Sequence, residues 1–267
     1  MRVNRSLSVI LRRMQSGSSI RLHRRSVYLD GGMWTILTPR PGDPQRYSTG
    51  VAGDSVQVLG SVASMEFLAH ALWALAFQHK ERTALLFDLP VMVPNGATAE
   101  SSRPVVWVNA DLGSPSSEML DALRGLLPLA SESDGTLKLR TAGLDRALTH
   151  PESFAAKERA EPDVPKWSAD DWDTWVTRQA GLVTATMPAA ALRAYAVAAG
   201  EFGSFSWESL DDAGDPISAD EVVVFDRTML DRAAAIRAGR SSMFSDRAID
   251  DLTGAERATL WKRYATN

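Results

Sequence analysis

Residues 64–82 restrict the fold more than any other segment, because they predict a helix that is apolar on two sides. One side repeats aliphatic residues at helical spacing, namely Met65, Leu68, Leu72, Leu75 and Ala76. The second side is partly aromatic and includes Trp73 and Phe77. Ser64 is the expected N-cap of this helix. A helix with two apolar sides is stable only between two layers or at an interface, so other elements must cover it.

Strand-like segments lie on both sides of this helix in the chain. Residues 20–29 and 33–37 predict two strands joined by an Asp-Gly-Gly turn. Residues 84–93 and 104–111 predict two more, and the ten-residue join between them allows an antiparallel pair. We therefore predict an α/β or α+β fold, in which a mixed β-sheet of about five to seven strands is flanked by helices and the C-terminal half is mostly helical.

Other segments predict the remaining elements. A loop rich in proline and glycine is expected at 38–54. Ser114 before Pro115 predicts the cap and first residue of a helix that ends near residue 127. After residue 167 the pattern predicts elements at 168–181 (helix), 182–187 (strand), 188–200 (helix), 221–226 (strand), and at about 229–239, 245–251 and 253–264 (helices).

The charge pattern divides the chain into an N-terminal arm and a body. Residues 1–25 contain seven arginines and no acidic residue: Arg2, Arg5, Arg12, Arg13, Arg21, Arg24 and Arg25. The body contains the other 22 of the 29 basic residues and all 33 acidic ones, so the formal charges are +7 and −11. We expect a basic arm at 1–25, an α/β core at 26–150, a linker or surface excursion at 151–166, and a mainly helical region at 167–267 that belongs either to the same domain or to a second one.

This charge split favours a non-enzymatic binding or assembly protein whose arm engages an anionic partner. The partner is expected to be the acidic face of another subunit, in a homo-oligomer or a complex with another protein, or a nucleic acid. Charge complementarity would give steering and register, and phosphates would add a steep salt dependence. Only five of the 29 basic residues are lysine, which is typical of a GC-rich, bacterial genome and makes arginine a less specific signal here.

The alternative hypothesis is an intracellular enzyme that acts on a nucleotide or a phosphorylated small molecule. Three apolar runs end in Asp88, Asp111 and Asp226, and carboxylates gathered beyond strand ends can hold Mg²⁺. The turn and helix start at 111–120 add Ser114, Ser116 and Ser117, whose hydroxyls and backbone N–H groups could hold a phosphate. The structural interpretation is that these residues only cap turns and helices.

Composition excludes several classes of protein. The chain has no cysteine, so disulfides, thiolate nucleophiles and sulfur-ligated zinc sites are ruled out. Its longest apolar stretches are too short to cross a bilayer, and no apolar signal-peptide core follows the basic start, so a cytoplasmic protein is expected. His70 lies one helical turn after Glu66, which predicts a helical contact in preference to a catalytic pair.

Overall fold

The computed structural model describes residues 19–43, 45–52, 55–93, 102–129, 132–160, 171–204, 223–225 and 229–244. Its strands are β1 (Ser19–Leu29), β2 (Gly32–Thr38), β3 (Tyr47–Ala52), β4 (Ser55–Gly60), β5 (Thr83–Phe87), β6 (Val105–Asn109), β7 (Gly135–Arg140), β8 (Val176–Gln179), β9 (Leu182–Met187) and β10 (Val223–Phe225). Its helices are α1 (Val62–Ala76), α2 (Ser117–Gly125), α3 (Leu144–Thr149), α4 (Pro151–Ala160), α5 (Trp172–Trp175), α6 (Ala189–Ser204) and α7 (Met229–Phe244).

Seven strands form one mixed sheet in the order β7-β1-β2-β5-β6-β9-β8. β2 and β5 are parallel, as are β6 and β9, whereas every other neighbouring pair in this sheet is antiparallel. Strands β10, β4 and β3 form a second, antiparallel sheet. The prediction of a mixed sheet flanked by helices is confirmed, and the antiparallel arrangement of β5 and β6 is the one that their short join allowed.

Helices cover both faces of the large sheet. α1 and α6 pack along each other over one face, which we call the α1 face, where Leu85, Trp107 and Ala185 are buried. α2 covers the centre of the opposite face with Met119, Leu120 and Leu123. All ten residues of β5 and β6 are therefore buried, and each fully buried aliphatic side chain stabilises the fold by about 1.5–3 kcal/mol.

The helix predicted at 64–82 is present and buried on both of its sides, but its ends differ from the prediction. Ser61 is the N-cap, because its hydroxyl accepts a hydrogen bond from the backbone N–H of Ser64 at 3.3 Å. The Ser64 hydroxyl instead donates to the Arg46 carbonyl at 2.9 Å and ties the helix start to the segment before β3. The helix ends at Ala76.

Tertiary contacts changed three other predicted elements. The loop expected at 38–54 contains β3, which pairs with β4. The linker expected at 151–166 contains α4 at Pro151–Ala160. The helix expected to run to Gly181 stops at Trp175, after which β8 turns back into β9 through Ala180 and Gly181. Both turn residues have positive φ, 54° and 73°, as a two-residue hairpin requires.

Several predicted segments lie outside the described residues. They are the basic arm up to residue 18 and the two helices expected beyond residue 244. Within the described ranges, no helix has the length and apolar character needed to cross a bilayer.

Candidate functional site

The last three arginines of the predicted arm belong to the large sheet. β1 begins at Ser19, so Arg21, Arg24 and Arg25 are strand residues, while Arg2, Arg5, Arg12 and Arg13 lie outside the described residues. Neighbouring residues of a strand point to opposite faces. Ile20 and Leu22 are buried on the α1 face, which places Arg24 on that face and Arg21 and Arg25 on the other.

The strand next to β1 carries two further cations on the same face as Arg21. In the β1–β7 register Lys138 is directly opposite Arg21, and Arg140 is opposite Ser19. Leu137 and Leu139 alternate with them and pack, half-buried, against the core on the α1 face. We call Arg21, Arg25, Lys138 and Arg140 together the cationic face.

Most of the cationic face is open to solvent. The side chains of Arg21, Lys138 and Arg140 are exposed, and Arg25 is half-buried. Arg25 is oriented by β2, because its Nη1 donates a hydrogen bond to the Thr38 hydroxyl at 2.6 Å. Three exposed cations on two adjacent strands, beside a fourth that is held in place, form a shallow positively charged surface.

The arrangement of these charges is electrostatically unfavourable in the free protein. Directly opposed residues of an antiparallel pair have Cβ atoms about 4.5–5.5 Å apart, and like charges in that position destabilise the sheet. In the part of the chain that the structure describes, no carboxylate forms an ion pair with Arg21, Lys138 or Arg140. Among the described residues no acidic side chain offsets the repulsion between Arg21 and Lys138, and a bound anion would reduce it.

Two titratable groups at the margin of the cationic face respond to its charge. His23, opposite Thr136 and Thr38 in the register, has a pKa below the ordinary value because of burial and then the charges of Arg25 and Arg40, with Asp43 opposing them. Asp134 precedes β7, and its Oδ2 accepts a hydrogen bond from the Ser26 backbone at 2.6 Å. Hydrogen bonding from the Ser26 side chain, then this backbone hydrogen bond, and then Arg24 and Arg25 lower the pKa of Asp134, and burial opposes them.

The strand-end aspartates do not come together. β5 and β6 are antiparallel, so Asp88 after β5 and Asp111 after β6 lie at opposite ends of the strand pair. A five-residue strand that rises about 3.4 Å per residue separates those ends by about 14 Å. Asp226 lies outside the described residues. Asp88 and Asp111 therefore cannot share one metal ion, because oxygen–metal distances are about 2–2.6 Å.

Each of these two aspartates has a structural partner. Asp88 is only 8% exposed, and its two carboxylate oxygens accept hydrogen bonds from the backbone N–H groups of Leu89 at 2.6 Å and Leu129 at 2.7 Å. Asp111 Oδ2 accepts a hydrogen bond from the N–H of Ala189, the first residue of α6, at 2.9 Å. Asp111 therefore satisfies a backbone donor that a helix start leaves unpaired, and Asp88 joins the segment after β5 to the segment after α2.

The serines near residue 115 are also involved in local structure. Ser116, and not Ser114, caps α2: its hydroxyl accepts a hydrogen bond from Met119 N–H at 3.0 Å and lies 2.6 Å from Asp30 Oδ2, to which it donates. The Ser117 hydroxyl donates to Glu118 Oε2 at 3.1 Å. Two carboxylates therefore border this helix start, and their charge opposes phosphate.

Within the described ranges, no three His, Asp or Glu side chains are grouped so that they could hold a metal ion. His70 Nδ1 lies 3.1 Å from the Thr141 hydroxyl, which is fully buried. Burial lowers the pKa of His70, opposed by Asp145, and burial raises the pKa of Glu66. The hydrogen bond to Thr141 identifies His70 as a side chain that joins α1 to the segment after β7.

Sequence reasoning identified Arg21 and Arg25 but missed Lys138 and Arg140. The local signal was present, because aliphatic and basic residues alternate at 137–140. The pairing of β7 with β1 joins residues more than a hundred positions apart, and no local pattern encodes it. No family model, curated protein or solved structure matches this chain, so the function must be inferred from the site itself.

Proposed function

We propose that this protein is a non-enzymatic binding or assembly protein that engages an anionic partner through the cationic face, with the arginines of the N-terminal arm adding to the contact. The observation that carries the proposal is the directly opposed pair Arg21 and Lys138, which has no carboxylate partner among the described residues. Opposed like charges lower stability, so the free protein bears a cost that an anionic partner offsets.

The partner class is anionic and presents several charges at strand-like spacing. Arg21 and Lys138 are opposed across two strands, and Arg140 is two residues from Lys138 on the same face. An acidic surface of another subunit or the phosphates of a nucleic acid would both satisfy this arrangement. For phosphates, contacts to all four cations of the face would make log K fall with log salt with a slope of about −3 to −4.

The competing proposal, an enzyme that uses Mg²⁺ and the strand-end aspartates, has less support. Asp88 and Asp111 are at opposite ends of β5 and β6, and each accepts hydrogen bonds from backbone N–H groups. Of the remaining phosphate-binding candidates, Ser114, Ser116 and Ser117, the last two donate hydrogen bonds to Asp30 and Glu118, whose carboxylates repel phosphate.

Size-exclusion chromatography with light scattering, with absorbance recorded at 260 and 280 nm, tests the binding proposal. We expect the full chain to elute as a multimer or as a complex with nucleic acid at low salt, and to dissociate at high salt because screening weakens exposed charge pairs. Retention on heparin, a sulfated polyanion, gives a second readout that does not depend on a partner purified with the protein.

Variants connect the result to the cationic face. The double variant Arg21→Gln with Lys138→Gln removes the opposed pair and should lower the salt concentration for elution from heparin without loss of stability. Arg178→Gln, an exposed strand arginine in β8 at the other edge of the sheet, is the matched control and should elute like the wild type. The proposal would be refuted if the wild type remains monomeric and partner-free at low and high salt and elutes from heparin at the same salt concentration as the double variant.

A further inference from the structure

The outer edge of the large sheet lies beside the cationic face. β7 is the last strand of the sheet on this side, and within the described ranges no strand pairs with its outer edge. A six-residue strand in this position presents outward N–H and C=O groups that can pair with an added strand. A partner that binds here can therefore use backbone hydrogen bonds as well as charge.

The side chains of β7 define what the added strand would have to carry. Lys138 and Arg140 are exposed on the cationic face, while Leu137 and Leu139 remain half-buried on the α1 face. In an antiparallel or parallel ladder each residue of the new strand lies beside one of these. Acidic residues on one face of the new strand would pair with the two cations of β7, and aliphatic residues on its other face would pair with the two leucines.

A second copy of β7 does not meet this requirement. Two β7 strands related by a two-fold axis would bring the exposed cations Lys138 and Arg140 of one copy close to the same residues of the other, and like charges across a ladder are destabilising. Basic residues on an edge strand are a common means by which proteins prevent such self-association.

A nucleic acid fits less well than an acidic strand. Single strands bind through aromatic side chains on which bases stack. The aromatic residue of β1, Tyr28, is 69% exposed but lies on the α1 face, opposite the cationic face. The chain as a whole has a formal charge of −4, which repels a long polyanion more than a short acidic segment.

We propose that β7 accepts an extended segment of a protein partner, in which acidic and aliphatic residues alternate, as an additional strand of the large sheet. The acidic side chains lie against Lys138 and Arg140, with Arg21 on the next strand inward, and the aliphatic ones cover Leu137 and Leu139. This inference rests on the proposed function, because it names the partner of the same cationic face.

The test uses the full chain and a labelled synthetic peptide of alternating glutamate and valine, with binding measured by fluorescence anisotropy. Each opposite-charge cross-strand pair contributes about 0.2–1 kcal/mol, so replacing the glutamates that face Lys138 and Arg140 with glutamine should weaken binding about two- to thirtyfold. Methylation of alternate peptide nitrogens, which preserves charge but removes ladder donors, should abolish binding. Hydrogen exchange of the outward β7 amides should slow when the unmethylated peptide binds.

Protein variants supply the matched comparison. Lys138→Gln should weaken peptide binding, whereas Arg178→Gln at the opposite sheet edge should not change it. Equal binding of the methylated and unmethylated peptides would overturn the strand-addition inference and leave the proposed function standing. A single-stranded oligonucleotide that binds more tightly than the peptide, and whose binding is lost in Lys138→Gln, would also overturn the strand-addition inference. It would identify a nucleic acid as the partner and leave the proposed function standing. A full chain that is monomeric at low and high salt and binds neither heparin, oligonucleotide nor peptide would overturn both.

Discussion

Replacing Asp88 with asparagine separates the structural role of this carboxylate from a metal-binding one. Asp88 is 8% exposed, and its two carboxylate oxygens accept hydrogen bonds from the Leu89 and Leu129 N–H groups at 2.6 and 2.7 Å. An asparagine side chain has one acceptor oxygen, and its amide NH₂ would face the second donor. Leaving one buried N–H without an acceptor costs about 1–3 kcal/mol. Asp88→Asn should therefore lower the free energy of unfolding by about 2 kcal/mol, and Tm by roughly 4–8 °C for a chain of this size.

Urea denaturation followed by tryptophan fluorescence, with and without Mg²⁺, measures this change. We expect the wild type and Asp88→Asn to differ by the same amount in both conditions, because the lost interactions are with backbone N–H groups. Asp121→Asn, an exposed aspartate on α2, is the control and should stay within about 0.5 kcal/mol of the wild type. Stabilisation of the wild type by Mg²⁺ that disappears in Asp88→Asn, or a variant as stable as the wild type, would show that the reasoning is wrong.

Two further substitutions test buried charges. Glu201 is 4% exposed and forms an ion pair with Arg237, which joins α6 to α7. Glu201→Ala leaves that guanidinium without this carboxylate and should lower the free energy of unfolding, measured by urea denaturation, by about 2–4 kcal/mol. A decrease below about 0.5 kcal/mol would contradict this. Burial lowers the pKa of His70 below its unfolded value of 6.5, so the unfolded chain binds more protons below pH 6.5. The stability that His70 contributes is therefore complete above that pH and is lost as pH falls through the folded pKa. The difference in unfolding free energy between wild type and His70→Gln should shrink from pH 7.5 to 5.5, and a constant difference would refute the assignment.

Strong local patterns predicted much of the fold. The hairpin of β1 and β2 was identified by the Asp-Gly-Gly turn between two strand-like segments, and in the structure Asp30 and Gly31 of that turn have φ of 44° and 68°. α1 was identified by apolar periodicity, α6 by an alanine-rich sequence between Pro188 and Gly200, and β5, β6 and β9 by short apolar runs. In these segments local propensity and burial favour the same conformation, so the prediction did not depend on the rest of the chain.

Other elements depend on contacts between distant residues. β8 follows directly after α5, and this segment, through which the helix was expected to continue, is a strand because it pairs with β9. β3 is a strand because it pairs with β4, and a glycine in its interior weakens the local signal. Local propensity is a weak preference that tertiary contacts override.

The candidate site divides in the same way. The sequence alone determined three properties: the concentration of arginines before residue 26, the acidity of the body and the lack of cysteine. Composition and charge do not depend on folding. The tertiary structure decided that Arg24 is separated from Arg21 and Arg25 by strand alternation, that Lys138 and Arg140 join the latter two, and that Asp88 and Asp111 are apart. Side-chain direction and strand pairing set these relations, and both are settled only when residues far apart in the chain are packed into one sheet.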